Sequence, residues 1–278
     1  MEINGQTRLA GLIGNPVLYS QSPAMHNAAF RHLNLPMVYV AFTVEAERVP
    51  EAVAAVRALN MVGVNITVPH KEAVLPYLDQ LDDSALQCGA VNTIVNRDGK
   101  LIGYNTDGLG FLDSLREAGF EPQDKDVVIL GAGGSARAVA VALLAANVRS
   151  LTLINRTVAK AEKLAEVLGT PEKVHILPLR QHSAPEIKGA DLVVNTLSVP
   201  FLSQGKWLLD LSAARGALFY DLRYGKMPSA FLDYAQTLGS PQVDGLGMLL
   251  HQGARAFSLF TGREAPVEVM RQALVPGP

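Results

Sequence analysis

The sequence has little of several features on which secreted, membrane and metal-thiolate proteins depend. Cys88 is the only cysteine among 278 residues, which excludes an internal disulfide and a metal–cysteine cluster. The net charge of −2 leaves no basic surplus for nucleic acid or an anionic membrane. The longest nearly apolar run, residues 138–148, is far shorter than the ~20 residues of a membrane span. The first residues lack a basic segment followed by an apolar run, so no secretory signal is expected. These absences favour a cytoplasmic protein.

What the sequence does contain is a regular alternation of strand and helix patterns, which predicts an α/β fold with mainly parallel sheets. The length predicts about two domains. In the first half, Asp98-Gly99 lies between two short strands and predicts a hairpin, so the first sheet is expected to be mixed. The elements predicted there are strands 9–13, 37–42 and 62–68 and helices 23–33, 45–59, 71–78 and 83–88. Ser22 is expected to cap the first helix and Pro23 to open it.

The second half carries a second α/β pattern after a helix at 108–119. We predict strands at 127–130, 151–154, 174–177, 191–194, 218–221 and 242–244, with helices between them that include 134–147 and 157–168. A helix at 247–260 and a last helix opened by Pro266 follow. No Gly/Pro-rich linker separates the halves, so the boundary near 108 rests on topology alone.

A glycine turn between strand 127–130 and helix 134–147 matches the G-x-G-x-x-G/A dinucleotide fingerprint. Gly131 permits the tight turn, Gly133 allows the backbone to approach a pyrophosphate, and Ala136 allows close helix–strand packing. The helix N-terminus offers free N–H groups to the anion. The predicted cofactor contacts in this turn are Gly131, Ala132, Gly133, Gly134, Ser135 and Ala136. The alternative is a plain glycine turn in a parallel sheet.

The end of the next strand favours NADP over NAD. An NAD site carries an acid near this position for the ribose 2′-hydroxyl, but the chain has Asn155, Arg156 and Thr157, followed by Lys160. A guanidinium, a second cation and neutral donors suit a 2′-phosphate. The alternative is that Arg156 only covers the surface and Thr157 only caps the next helix.

Polar side chains also collect at strand ends and loops of the first half, where α/β folds bind ligands. None is diagnostic alone: Ser22 and Asp107 have helix caps as alternatives, and Asn92 a strand-end hydrogen bond. The candidates are Ser20, Ser22, Asn65, Thr67, Lys71, Asn92, Asn105 and Asp107.

Together these stretches resemble the shikimate dehydrogenase family. The motifs IGNPVLYSQSPAMHN, GVNITVPHK, GAVNTI, YNTDG, GAGGSARA, NRT and DGLGMLLHQGARAF occur in this order between about residues 10 and 275. The resemblance implies an NADP-linked oxidoreductase that reduces 3-dehydroshikimate to shikimate, a step of aromatic amino-acid biosynthesis. It also implies a substrate domain of residues 1–107 with 247–278, a Rossmann-type cofactor domain of residues 108–246, and an active-site cleft between them.

The resemblance implies roles for individual residues. Ser20 and Ser22 would hold the substrate carboxylate. Asn65, Asn92, Asp107 and Gln252 would bind ring hydroxyls, with Thr67 supporting them. Tyr224, Gly245 and Met248 would line the nicotinamide side. Residues 195–201 read NTLSVPF and depart from the family pattern, so Thr196 is a weaker cofactor prediction than the others.

Lys71 and Asp107 would form the catalytic pair, one of them transferring the proton that accompanies the hydride. Which of the two moves it stays open. His70 is interpreted as structural. His32, His175 and His182 have no metal-like spacing, so no metal site is predicted. Two other functions remain as alternatives, an NAD-using quinate/shikimate dehydrogenase and a non-catalytic regulator of the same fold. A monomer or a homodimer is expected, with small molecules as the only other partners.

Overall fold

The computed structural model describes residues 2–179, 185–203, 205–225 and 229–274. The chain divides into two compact units. One comprises the described residues of Met1–Gly110 and Leu249–Val275, and the other those of Phe111–Met248. The observed boundaries therefore fall at 110/111 and 248/249. The boundaries predicted from the sequence, 107/108 and 246/247, lie three and two residues earlier. Both observed divisions lie inside helices, where composition gives no warning of a boundary. None of the helices in the described ranges is long and apolar enough to cross a membrane.

The first unit is built on a mixed six-stranded sheet. Its strands are β1 (Arg8–Gly14), β2 (Met37–Thr43), β3 (Gly63–Ile66), β4 (Gln80–Leu81), β5 (Thr93–Arg97) and β6 (Lys100–Tyr104). The order is β2-β1-β3-β5-β6-β4, and β5 runs antiparallel to both of its neighbours. The predicted hairpin is therefore confirmed, with Asp98 and Gly99 both at positive φ in its turn. β4 carries no pattern that distinguishes it from a loop.

Helices cover this sheet and contribute to its core. They are α1 (Ser22–His32), α2 (Val49–Ala58), α3 (Asp83–Cys88), the first residues of α4 (Asp107–Glu117) and, from the C-terminal part of the chain, most of α8 (Leu246–Thr261) and α9 (Val267–Ala273). Buried strand residues such as Val64, Ile66 and Ile94 pack with Val53 and Val56 of α2. Removing these side chains from water stabilises the unit and fixes the strand ends that carry the polar motifs.

Four predictions in this unit are corrected. The strand predicted at 62–68 ends at Ile66, because Pro69 has no N–H and the chain turns, with His70 N donating to the Thr67 carbonyl at 2.9 Å. No α-helix forms over 71–78, because Pro76 interrupts it. That stretch consists of turns and a 3₁₀ turn, Leu75–Tyr77.

Ser22 does not cap α1. It is the first helical residue, and Gln21 occupies the N-cap position without a side-chain bond. The hydroxyl of Ser20 accepts a hydrogen bond from Ser22 N at 3.3 Å, a turn bond that satisfies the first helical N–H. The predicted helix 45–59 similarly begins as a 3₁₀ turn, Ala46–Arg48, before α2 starts at Val49.

The second unit is a fully parallel, six-stranded Rossmann-type sheet beside a small hairpin. Its strands are β7 (Asp126–Leu130), β8 (Ser150–Asn155), β9 (Val174–Pro178), β10 (Leu192–Asn195), β13 (Leu218–Asp221) and β14 (Gln242–Val243), and β11 (Leu202–Ser203) pairs with β12 (Lys206–Trp207) in the hairpin. The sheet order is β14-β13-β10-β7-β8-β9, and the helices between strands are α5 (Gly134–Ala145), α6 (Val158–Leu168) and α7 (Ala230–Thr237). The strand order reverses at β7 and β10, which is where open α/β sheets bind ligands.

The core of this unit explains the apolar run at 138–148. Ala136, Ala140 and Leu143 of α5 are buried against the sheet, since small side chains allow the helix to approach it closely. Ala136 has no exposed surface, as its predicted packing role requires. The helix is thus a core element that holds its N-terminus at the end of β7.

Candidate active site

The GVNITVPHK stretch places a lysine beside a carboxylate. Lys71 follows the turn after β3, and its Nζ donates to Asp107 Oδ2 at 2.6 Å. Asp107 is the first residue of α4. The Lys71 side chain is 20% exposed and that of Asp107 is 8% exposed, so the ion pair is largely desolvated. A charge-assisted hydrogen bond in such surroundings is stronger than one in water.

Asn92 holds the other oxygen of that carboxylate. Its Nδ2 donates to Asp107 Oδ1 and to Thr106 Oγ1, each at 2.8 Å. Its Oδ1 accepts from Thr106 N at 2.8 Å and from Thr93 Oγ1 at 2.9 Å. Asn92 is 2% exposed. The buried amide therefore fixes Asp107 and has no uncommitted donor.

The YNTD stretch forms the other side of this network. Asn105 Oδ1 accepts from Asp107 N at 3.1 Å, while its Nδ2 donates to the Ala90 carbonyl at 2.9 Å. Thr106 Oγ1 also donates to the Gln252 carbonyl of α8 at 3.1 Å. The alternative that Asp107 only caps α4 does not describe the structure, because its carboxylate bonds to Lys71 and Asn92 instead.

Asn65 joins the same network from β3. Its Nδ2 donates to the Asn92 carbonyl at 3.2 Å and to Thr93 Oγ1 at 3.0 Å. Its Oδ1 accepts from the hydroxyl of Tyr39 at 2.8 Å. Tyr39 and Thr93 were not predicted from the sequence. Tyr39 resembles any aromatic of a half-buried strand, and only the strand order β2-β1-β3, which leaves one strand between it and Asn65, reveals its partner.

The other predicted substrate residues lie at the edges of this network or in the second unit. Ser22 is buried and Ser20 is half-buried. Thr67 lies just after β3, and in the described ranges its hydroxyl has no hydrogen-bond partner. Gln252 places Oε1 3.5 Å from Asn92 Nδ2 and donates through Nε2 to the Leu249 carbonyl at 2.8 Å. Tyr224 belongs to the second unit.

Two histidines near these residues are packing elements. His70 is 1% exposed, with Nε2 2.7 Å from the Val44 carbonyl, which agrees with its structural interpretation. His26 is fully buried, and its ring stacks on that of Tyr39 with centroids 4.4 Å apart and planes 5° apart. Desolvation lowers the pKa of His26 from 6.5 to about 3. Neither ring nitrogen has a partner among the described residues.

The predicted dinucleotide turn is a tight glycine turn with open space at its backbone. Gly131 has φ +115°, and a Cβ there would lie 2.3 Å from Thr196 Oγ1, so no other residue fits. A Cβ on Gly133 or Gly134 would meet nothing within 4 Å, so these two glycines leave open space for a ligand at the backbone. α5 has no side-chain cap at Gly133 and no acid in its first turn. Its N-terminal N–H groups therefore suit an anion.

The residues predicted to hold a 2′-phosphate follow β8. Arg156 and Lys160 are exposed. Within the part of the chain that the structure describes, the Arg156 guanidinium forms no hydrogen bond or ion pair. Asn155 Nδ2 donates to the Thr157 carbonyl at 2.8 Å and so shapes the turn. Thr157 is the N-cap residue of α6, but its side chain makes no capping bond. A free cation and a free hydroxyl fit an anionic group.

Thr196, Gly245 and Tyr224 come from segments at the carboxyl ends of the second sheet. Thr196 Oγ1 donates to the Leu130 carbonyl at 2.7 Å, which keeps it beside the glycine turn. Gly245 N donates to the Arg223 carbonyl at 3.0 Å, and a Cβ on Gly245 would lie 2.1 Å from the Leu222 carbonyl oxygen. Tyr224 is 40% exposed, and Met248 packs at the margin of the core.

A buried carboxylate that was not predicted ties these segments together. Asp221 has no exposed surface, and its Oδ1 accepts from Asn195 Nδ2 and Arg223 N, each at 3.1 Å. Its Oδ2 accepts a short hydrogen bond from Ser229 Oγ. Desolvation raises the pKa of Asp221 above 3.8 against these bonds. Nothing in the sequence distinguishes this strand-end acid from a solvated one.

No cluster of three or more potential metal ligands occurs in the described ranges, and His182 lies outside them. The polar site of the first unit thus consists of hydrogen-bonding groups and one ion pair.

Three family models match the chain. Residues 12–94 match the shikimate dehydrogenase substrate binding domain, residues 115–221 match shikimate / quinate 5-dehydrogenase, and residues 245–275 match the shikimate 5′-dehydrogenase C-terminal domain. Together these matches reach from β1 to the last helix.

Curated relatives are similar over nearly the full chain. The shikimate dehydrogenase (NADP(+)) of Moorella thermoacetica is 48% identical, over 99% of this chain and 95% of its own length. That of Desulforamulus reducens is 44% identical, over 98% of this chain and 96% of its own length.

Solved structures agree in fold. A shikimate dehydrogenase in complex with NADP+ has a TM-score of 0.88 and 39% identity, covering 98% of this chain and 96% of its own. The Thermus thermophilus enzyme with NADP(H) and shikimate has a TM-score of 0.86 and 35% identity, covering 96% of this chain and 98% of its own. A Corynebacterium glutamicum quinate dehydrogenase with NAD has a TM-score of 0.86 and 33% identity, with the same two coverages. This chain belongs to the shikimate dehydrogenase family.

Proposed function

We propose that this chain catalyses the reversible, NADP-linked reduction of 3-dehydroshikimate to shikimate, with Lys71 and Asp107 as its catalytic pair. The observation that carries the assignment of the pair is the 2.6 Å ion pair, with Asn92 holding the far oxygen of the carboxylate. A regulator that had lost catalysis would have no need to keep a desolvated lysine and carboxylate in contact, because the cost of burying both charges has to be offset.

Reduction of a ketone requires a hydride at carbon and a proton at oxygen. NADPH supplies the hydride when it is bound. Asp107 accepts a hydrogen bond at each carboxylate oxygen, from Lys71 Nζ and from Asn92 Nδ2. Among the described residues the Lys71 ammonium uses one N–H on Asp107 and retains two. Lys71 is therefore the group that donates to the substrate oxygen, and Asp107 orients the ammonium. In the reverse direction Lys71 accepts the proton from the hydroxyl.

The cofactor fits the chain at two places. The open glycines Gly133 and Gly134, at the uncapped N-terminus of α5, would hold the pyrophosphate. Arg156, with Lys160 one helical turn further on, would hold the 2′-phosphate, because both are exposed cations and no acid stands at Asn155. Thr157 adds a neutral hydroxyl. Thr196, Tyr224, Gly245 and Met248 are proposed for the nicotinamide end.

The substrate contacts are proposed from the free groups of the first unit. Ser20, which uses only its hydroxyl oxygen, and Ser22, whose hydroxyl also bonds to Tyr39, are proposed for a carboxylate, and the Thr67 hydroxyl has no partner in the described ranges. Gln252 faces Asn92 at the rim of the network. Asn92 contributes mainly by fixing Asp107, since a substrate contact requires it to give up an existing bond.

The second candidate is an NAD-using quinate/shikimate dehydrogenase. The observation in its favour is that the quinate dehydrogenase bound to NAD matches this fold as well as the Thermus thermophilus enzyme does. The cationic end of β8 argues against it, because Arg156 supplies the charge that a 2′-phosphate needs, and neither Asn155 nor Thr157 is the acid that an NAD ribose needs.

Initial rates with shikimate or quinate, each with NADP+ or NAD+, distinguish the two. Turnover is measured by the near-ultraviolet absorbance of the reduced nicotinamide. We expect turnover with shikimate and NADP+ and little with the other three pairs. Equal rates with NAD+ or quinate would support the second candidate. Absence of turnover in a folded protein that binds NADP+ would favour a regulator.

We also propose a cytoplasmic location and a monomeric or homodimeric state. The single buried cysteine fits the cytoplasm. A monomer or a homodimer is expected, and sedimentation would distinguish them.

A further inference from the structure

The phenol of Tyr39 is a buried donor aimed at a predicted substrate residue. Tyr39 lies in β2 with 2% of its surface exposed, and its hydroxyl is 2.8 Å from Asn65 Oδ1. Three contacts hold Tyr39 in place, two at its backbone and one at its ring. Asn27 Nδ2 donates to the Tyr39 carbonyl and Asn27 Oδ1 accepts from Tyr39 N, each at 2.9 Å, and His26 stacks on one face. The hydroxyl is therefore delivered by a rigid support.

The bonds of Asn65 determine which way its amide faces. Nδ2 lies 3.2 Å from the Asn92 carbonyl, which can only accept a hydrogen bond. Nδ2 also lies 3.0 Å from Thr93 Oγ1, whose own proton goes to Asn92 Oδ1. Both neighbours of Nδ2 are thus acceptors, so the amide nitrogen must point to them. The oxygen then points to Tyr39, whose hydroxyl has to be the donor.

This arrangement leaves Asn65 without a free donor. Its two N–H groups are used, and one lone pair of Oδ1 is taken by Tyr39. One lone pair remains. We infer that Tyr39 is a positioning residue that fixes Asn65 as a pure acceptor, so that the substrate must present a hydroxyl donor to it. The inference rests on the proposed function, in which Asn65 contacts a ring hydroxyl.

The donor role of Tyr39 does not depend on pH in the working range. Desolvation raises the pKa of the phenol well above 10.0, with the neighbouring Ser22 hydroxyl opposing that rise. The phenol therefore keeps its proton wherever the enzyme is assayed.

The first test compares Tyr39→Phe with Tyr77→Phe in the full chain. Both changes remove one phenolic oxygen, but Tyr77 is 43% exposed and lies outside the network. Loss of the Tyr39 hydroxyl leaves the buried Asn65 Oδ1 short of a donor and removes one of the three hydrogen bonds that hold the amide. We expect the KM for shikimate to rise about tenfold in Tyr39→Phe, with the KM for NADP+ unchanged. Tyr77→Phe should change neither.

The second test uses shikimate analogues and needs no variant. Each non-reacting ring hydroxyl is replaced in turn by hydrogen or by fluorine, and the inhibition constants are compared. At the hydroxyl that meets Asn65, fluorine should be no better than hydrogen, because it cannot donate. If Asn65 acted as a donor there, fluorine would recover part of the affinity.

Combining both tests separates positioning from general stability. In Tyr39→Phe, the affinity lost by removing the substrate hydroxyl that meets Asn65 should be smaller than in the parent. The affinity lost by removing any other non-reacting ring hydroxyl should be unchanged. A change of less than twofold in the shikimate KM of folded Tyr39→Phe would overturn the inference. So would a fluorine analogue that recovers affinity at every position. If the parent protein itself does not oxidise shikimate, the proposed function fails instead.

Discussion

Lys71 and Asp107 are 36 residues apart in sequence, and their charged groups are 2.6 Å apart in the fold. The contact forms because the turn after β3 and the start of α4 lie beside each other, with Asn92 of the intervening chain bonded to the same carboxylate. An ion pair so little exposed is costly to assemble and strongly disturbed when one partner is removed. The first prediction uses that asymmetry.

We predict that Lys71→Ala lowers kcat for shikimate oxidation by about 10²–10⁴-fold, because the general base is lost. NADP+ binding should remain close to that of the parent, since the residues proposed for it lie in the other unit. Lys100→Ala, which removes an exposed lysine of β6, is the matched control and should keep kcat. Steady-state rates and an NADP+ titration provide the measurements. A Lys71→Ala enzyme within threefold of the parent would remove lysine from the chemistry.

Arg156 leads to the second prediction, which concerns the choice of cofactor. Arg156→Ala should raise the KM for NADP+ by about 10–100-fold, since charge-assisted hydrogen bonds to the 2′-phosphate are lost. The KM for NAD+, which has no such phosphate, should change little. Arg215→Ala, another exposed arginine of the same unit, serves as the control. Equal losses with both cofactors would mean that Arg156 supports the fold rather than reading the phosphate.

Much of the fold was predictable because its patterns are local. The alternation of apolar residues located the strands, the Asp98-Gly99 turn predicted the antiparallel hairpin, and the glycine fingerprint predicted the end of β7. The errors have equally local causes: Pro69 and Pro76 stop elements that apolar periodicity alone would continue.

The site was predictable only where a motif marks it. Lys71, Asp107 and Asn92 lie in recognisable stretches, whereas Tyr39 and Asp221 act through partners far away in sequence. Tyr39 reaches Asn65 across 26 positions, and Asp221 reaches Asn195 across the same number. A buried hydrogen bond of that kind depends on strand order, which no window of the sequence contains.

Gly110 leads to the third prediction, because helix α8 passes directly over it. A Cβ at Gly110 would lie 2.5 Å from Gln252 N and 2.7 Å from Gln252 Cα, and backbone atoms cannot move aside as a side chain can. Gly110→Ala should therefore cost about 1–3 kcal/mol of unfolding free energy from overpacking, more than the gain in helix propensity. The KM for shikimate should rise as Gln252 shifts.

The control for that variant is Gly5→Ala, since a Cβ at Gly5 would meet nothing within 4 Å. Denaturant unfolding gives the stability and initial rates give the KM. A Gly110→Ala protein as stable as the parent would show that α8 can move without loss, and Gln252 would then be a poor candidate for a fixed substrate contact.

His26 leads to the last prediction, which concerns stability at acid pH. The folded pKa is lowered from 6.5 to about 3, so the unfolded chain binds a proton between these values and the folded chain does not. Stability contributed by neutral His26 is present above pH 6.5 and is lost as the pH falls towards 3, with a slope of up to ~1.4 kcal/mol per pH unit.

His26→Phe removes this titration, retains an aromatic ring over Tyr39 and leaves no unpartnered ring nitrogen. Its unfolding free energy should therefore fall less steeply between about pH 6.5 and 4 than that of the parent. His26→Leu should lose the same part of the slope but be less stable at about pH 8, because the 4.4 Å stack is gone. Urea unfolding across that range tests both variants, and an unchanged slope in His26→Phe would mean that the imidazole is protonated within the fold.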